Sequence, residues 1–139
     1  PPTTPRLALW LFLFVACLFN VLYKLSVVCR IYAIKSLIDE NLTENANIRG
    51  KQLIDGLNTI KNDFPDKIKD LRGKRLLTAF EMHDATHLDG HKVSVGLLNR
   101  GIYAKETHKT TIRLAPALTI SSDKINCLLD GVRSVIQNI

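Results

Sequence analysis

An unbroken apolar run from Leu7 to Phe19, with Trp10, Phe12, Phe14 and Phe19 inside it, constrains this chain more than any other feature. Asn20 interrupts the run, and Val21, Leu22 and Tyr23 carry it on to Lys24. About 17 apolar residues lie at the lower edge of what crosses a bilayer as a helix. Arg6 precedes the run, and Lys24, Arg30 and Lys35 follow it. That bias places the C-terminal part on the cytoplasmic side if the run inserts. A signal segment is a second reading, although no small-x-small cleavage site follows. A third is a segment foreign to the domain behind it. The chain begins with Pro1-Pro2 rather than methionine, which leaves its true start open. Residues 1–24 are therefore set apart from a domain expected over 25–139.

The remainder has an ordinary soluble composition. A chain of 139 residues, 46% hydrophobic and 23% charged, is enough for one modest globular domain. The net charge of +6 is scattered, and only Lys67 to Arg75 is densely basic. That run has no aromatic or recognition-helix companions, so no nucleic-acid partner is expected. Cys17, Cys29 and Cys127 have neither metal nor disulfide spacing. Cys17 and Cys127 read as small core residues, which weakly favours a reducing compartment. The sequon Asn41-Leu42-Thr43 falls in a helical setting that argues against its use.

From Arg30 the pattern turns amphipathic. Ile31, Ile34, Leu37, Ile38 and Leu42 share one helical face; Leu53, Leu57, Ile60 and Phe64 continue the spacing until Pro65. This predicts one long helix, or two joined near Asn47–Gly50. Ile68 to Met82 reads as strand, turn, strand, with Gly73 at the turn. Asp89 is placed to cap a short helix through Val93, Val95, Leu97 and Leu98, closed by Gly101. Ile102–Ala104 and Thr111–Leu114 look like a strand pair. Ser121 or Ser122 opens a last helix whose inner face is Ile125, Leu128, Leu129, Val132, Val135 and Ile136. Helix, strand, strand, helix, strand, strand, helix is an α+β layer, with helices on one face of a small sheet.

Catalytic signatures are sparse. The chain holds no G-x-G-x-x-G, P-loop, G-x-S-x-G elbow or H-E-x-x-H. His83, His87 and His91 are spaced to share a helical face and could ligate zinc, but Gly90 and the capping Asp89 break such a helix. A variable polar loop is the better reading, and no metal site is expected. Arg113 lies among Ile112, Leu114, Ala115 and Pro116, an unusual setting for a residue placed only for solubility. A planar guanidinium there suits bidentate capture of a carboxylate, or else a structural ion pair in a half-buried strand.

The elements A-K-x-T-H (104–108) and I-R-x-A-P-x-L (112–118) together resemble the C-terminal domain of the ornithine aminotransferases, class III pyridoxal-phosphate enzymes. The likeness runs from about Ala33 to Ile139. It enters at Lys35–Ala46 and continues through Arg72-Gly73-Lys74 and Leu76-Leu77, similar to the family's R-G-x-G-L-L strand. It implies the small C-terminal domain of a fold-type I aminotransferase. It also implies a family reaction that moves the δ-amino group of ornithine to 2-oxoglutarate, and mitochondrial siting unless residues 7–23 insert in a membrane.

By the same resemblance Arg113 aligns with the substrate-carboxylate arginine, and Thr107 and His108 with its neighbouring loop. There are departures: Arg75 stands at a family glycine, Glu106 and Ala117 at prolines, and Lys109-Thr110 at a Gly-Asp pair. The family's cofactor lysine, its acidic partner and its phosphate cradle lie in a large domain with no counterpart here. Pyridoxal 5'-phosphate is therefore the family's cofactor but is not expected to bind this chain alone, and no catalytic residue is assigned. Self-association, or docking on a complete aminotransferase subunit, is the expected partnership. The alternative is a non-enzymatic, membrane-tethered α+β interaction module.

Overall fold

The computed structural model describes the backbone of residues 4–83 and 90–139, and the side chains of 17–83 and 90–139. The chain divides into two units, Pro1–Asn41 and Leu42–Ile139. The first is α1, a single helix over Thr4–Asp39. Its 36 residues give a rod about 54 Å long. Apolar side chains on several sides of it are exposed, among them Phe19, Tyr23, Leu25, Ile31, Ile34 and Ile38. The helix ends at Glu40–Asn41 and not near Asn47–Gly50 as expected. Asn41 takes the left-handed conformation there (φ 48°), which its short amide side chain tolerates. The sequon asparagine thus sits in an exposed turn rather than within a helix.

The second unit is α2 (Leu42–Asp63), β1 (Ile68–Lys74), β2 (Leu77–Met82), α3 (Gly90–Leu98), β3 (Lys105–Thr107), β4 (Thr111–Leu114) and α4 (Ser122–Asn138). The strands form one antiparallel sheet in the order β1-β2-β4-β3. This is the α+β layer that the residue pattern implied. One face of the sheet carries Thr78, Phe80 and Met82 with Ile112 and Leu114, all buried. Leu53, Leu57 and Ile60 of α2, Val93 and Leu97 of α3, and Ile125, Val132, Val135 and Ile136 of α4 complete the core. Leu128 and Leu129 pack at its margin. Burying an aliphatic or aromatic side chain of this kind contributes about 1.5–3 kcal/mol.

Side chains tie α2 and the turn after it to α4 and the loop before it. Asn45 donates to the carbonyls of Leu118 (2.6 Å) and Ile120 (3.2 Å). The Gln52 amide donates to Asn126 (2.8 Å), and the Ser122 hydroxyl donates back to Gln52 (3.2 Å). Lys67 donates to the Ile136 carbonyl at 2.7 Å, in the last turn of α4. Ser121 holds the N-cap position of α4 but makes no capping hydrogen bond.

Several local expectations need correction. Ile102–Ala104 is not a strand; β3 is the next three residues. The Ile102 amide donates to Leu97 (3.0 Å) and that of Gly101 to Leu98 (2.9 Å), a Schellman closure of α3 with Gly101 at φ 75°. The Ala104 carbonyl accepts from the Ser94 hydroxyl at 2.8 Å. Those backbone groups are committed before the ladder begins. Asp89, the expected cap, lies outside the described residues. Cys17 and Cys127 are exposed, not core. On α4 the helical period turns Cys127 outward, between the inward Ile125 and the marginal Leu128.

Gly73 lies within β1, and the β1–β2 turn is Arg75-Leu76. Arg75 has φ 57°, and the β3–β4 turn holds His108 and Lys109 at φ 53° and 62°. Arg75 and Lys109 are two positions where the resembled family carries glycine. Left-handed backbone costs an ordinary L-residue about 1–2 kcal/mol, which glycine avoids. The close packing at the first turn nonetheless survives: a Cβ on Gly50 of α2 would run into the Arg75 backbone. Arg75→Gly and Lys109→Gly are each expected to stabilise the fold by about 0.5–1 kcal/mol, glycine's larger unfolded-state entropy offsetting part of the gain. Urea-unfolding midpoints check this; a midpoint unchanged or lowered in both variants contradicts it.

A candidate carboxylate-binding sheet face

Strand alternation turns every second residue of the sheet away from the helices. Across that outer face the register aligns Arg72, Ala79, Arg113 and Lys105 in one row, and Asp70, Glu81, Thr111 and Thr107 in the next. Arg113 is exposed between buried Ile112 and Leu114. Two of the apolar neighbours that marked it in the sequence, Ile112 and Leu114, point to the core, while Arg113 itself points to the open side.

The acidic groups of this face are engaged at its β1 side. Glu81 accepts from Lys69 at 2.7 Å and from Arg72 at 3.2 Å, and Arg72 lies 3.4 Å from Asp70. The Arg113 side chain makes no hydrogen bond or ion pair with another described residue, and neither does that of Lys105. The alternative role for Arg113, a structural ion pair, thus has no counterpart among the described residues. The sequence reading found Arg113 but passed over Lys69, Arg72, Glu81 and Lys105. The signal for Arg72 and Glu81 was the alternation D-x-R of β1 against A-x-E of β2, which places charges on one face only when the pairing register is known; Lys69 enters at a register shift in β1, and Lys105 from β3.

Beside the end of β4 a groove of about 610 Å³ opens, with Ile102, Leu114, Pro116, Cys127 and Leu128 on its walls and Lys124 at its side. No linear pattern marks it, because its walls come from three separate segments. The spaced histidines do not form a described cluster: His87 lies outside the described residues, and His91 Nδ1 lies 3.5 Å from Glu106. Among the described residues no group of three His, Cys, Asp or Glu could hold a metal ion.

The hydrogen bond from Lys69 holds the Glu81 carboxyl below its ordinary value of 4.5, against a desolvation that pushes it up. The same bond raises Lys69 above 10.5. A lowered carboxyl pKa contributes stability that is present above the unfolded value and is lost as pH falls through the folded value. Parent and Glu81→Gln proteins should therefore differ in unfolding midpoint at neutral pH. The difference should shrink as the solution is taken below pH 4.5. A constant difference down to strong acid would exclude Glu81 as the titrating group.

The family model described as aminotransferase class-III matches residues 24–136. Mitochondrial ornithine aminotransferase from Rattus norvegicus is 38% identical over 110 residues, 78% of this chain and 24% of that protein. The mitochondrial enzyme from Arabidopsis thaliana is 34% identical over 103 residues, 73% of this chain and 22% of that protein. Among solved structures, acetylornithine aminotransferase from Elizabethkingia anophelis gives a TM-score of 0.72 at 27% identity, covering 78% of this chain and 28% of that one. Ornithine aminotransferase from Toxoplasma gondii gives 0.72 at 28% identity, covering 78% and 26%. The chain spans about a quarter of the length of the curated relatives it matches.

Proposed function

Because the chain belongs to the class-III aminotransferases, with an ornithine-aminotransferase-like sequence, we propose that it supplies the small-domain side of an ornithine-type transamination site. In that site Arg113 holds a substrate carboxylate in a fork of two charge-assisted hydrogen bonds. The observation that carries this reading is Arg113 itself, exposed on the open sheet face and paired with no described residue. The reaction it would serve transfers the δ-amino group of ornithine to 2-oxoglutarate.

The family's cofactor is pyridoxal phosphate, whose chemistry needs a Schiff-base lysine, an acid near the pyridine nitrogen and a phosphate cradle. The described residues do not fit it. No described lysine is buried. Lys69 is committed to Glu81, and Lys67 is held by the Ile136 carbonyl over the Phe64 ring. The chain alone is therefore proposed to be inactive, acting only against a large domain that carries the cofactor. The open sheet face also supports docking on a complete aminotransferase subunit, or self-association. Siting in mitochondria is proposed from the rat and Arabidopsis relatives.

Grafting Leu42–Ile139 onto a complete family large domain tests the reading. The graft is expected to be active. Losing a hydrogen bond to a charged group costs about 1.5–3 kcal/mol, so Arg113→Lys should lower kcat/KM for 2-oxoglutarate by roughly ten- to hundredfold with little change in melting temperature. A lowered melting temperature with unchanged kinetics would make Arg113 structural and remove it from the site.

A second reading concerns α1. A helix that is apolar around its circumference is normally covered by protein or lipid, and large apolar side chains from Phe19 to Ile38 are exposed. Cys17–Asp39 is the described stretch long and apolar enough to cross a bilayer, by length and composition alone. Residues 7–23 would span about 26 Å as a helix, close to the hydrocarbon thickness of about 30 Å, with Lys24 reaching toward the headgroups. We propose that α1 tethers the α+β unit to a membrane through residues 7–23, the last part of which, 17–23, lies within Cys17–Asp39. The chain should then stay with membranes through alkaline carbonate washing; release into the soluble fraction rejects the tether.

A further inference from the structure

Lys105 and Arg113 stand directly opposite each other on β3 and β4. Both are exposed, and neither is paired with a described residue. Like charges facing each other across an antiparallel pair repel. Elsewhere on the same face every cation within reach of an acid has taken one: Lys69 and Arg72 share Glu81, and Arg72 also reaches Asp70. On the β3 side the outward residues beside the two cations are Thr107, Thr111 and Ala79, none of which can neutralise them. The sheet therefore holds, at one rung of its ladder, two exposed positive charges that no described residue compensates.

We propose that Lys105 completes the carboxylate site of Arg113. The two cations close on one carboxylate, the guanidinium setting its orientation through the planar fork while the ammonium adds charge and one further hydrogen bond. This rests on the reading of Arg113 as a carboxylate ligand and assigns it a second positioning cation. The anion relieves the cross-strand repulsion when it binds. Two consequences follow together: removing the Lys105 charge relaxes the free protein and weakens the bound one. A lysine placed only for solubility would leave binding unchanged.

The experiment is titration of the full chain, held in detergent micelles, with 2-oxoglutarate, followed by chemical-shift perturbation and by melting temperature. Dimethyl 2-oxoglutarate, which lacks the charges, serves as the control ligand. Saturable binding is expected for the diacid and not for its ester. Lys105→Gln should weaken binding at least fivefold, make it less sensitive to added salt, and leave the free chain's melting temperature equal or higher. Lys105→Arg should restore affinity to within twofold, and Lys74→Gln, on the same face at the far hairpin, should change nothing. Arg113→Gln should weaken binding tenfold or more. If Lys105→Gln binds like the parent while Arg113→Gln loses affinity, the Lys105 assignment is overturned and the Arg113 reading stands. If neither substitution matters, both fall. Absence of saturable binding by the parent chain overturns the proposal outright, since both cations belong to this chain.

Discussion

Phe80 and Ile112 face each other across the two central strands, both fully buried, and their pairing determines where the neighbouring side chains of the sheet point. Side chains alternate with a period of two, so a slip of one residue would exchange the two faces of the ladder. It would bring Arg113, Glu81 and Arg72 under the helices and push Phe80 and Ile112 into water. The helices α2, α3 and α4 supply the apolar surface that makes this exchange prohibitive. The candidate site is in this sense the reverse side of the core: Arg113 is held outward because its two neighbours in β4 are held inward.

That arrangement explains which parts of the fold were readable from residues alone. The long apolar periods of α2 and α4 carried their own evidence. Leu53, Leu57 and Ile60, and Ile125, Val132, Val135 and Ile136, lie where helical spacing put them. The strand hairpins were legible from β-branched and aromatic residues around polar turns. The misplacements are all local. Ile102–Ala104 has a strand-like composition, but the closure of α3 takes its first amide. The break at Asn41 is written in a single asparagine, and Cys127 looked apolar by residue type although its helical phase turns it out. Each was decided by a backbone hydrogen bond or a rotation that composition does not encode.

The site was legible in part for the same reason. An arginine among apolar residues stood out, but its apolar setting is a property of the strand, not of the guanidinium. What distinguishes Arg113 is the company it keeps across strands. Lys105 precedes it by eight residues, Ala79 by more than thirty, and Arg72 sits one strand further away. No linear motif expresses such a row. The turns on either side add a second point. Arg75 and Lys109 hold left-handed backbone where the resembled family carries glycine, so the shape of both hairpins is retained while its conformational cost is not relieved.

The hydrogen bonds that join α2 to α4 and the loop before it connect residues about seventy positions apart, as Asn45 to Leu118 and Gln52 to Ser122 show. On a ribosome α2 and the first hairpin therefore emerge without the helix that seals them. The inner face of the sheet stays uncovered until α4 has been made. Domains settle as units, and an uncovered apolar face is most prone to wrong association while it waits. In this chain α1 is made ahead of α2, and its apolar surface leaves the ribosome before the sheet does. Its encounter with a membrane or a chaperone would be decided before the sheet behind it has closed.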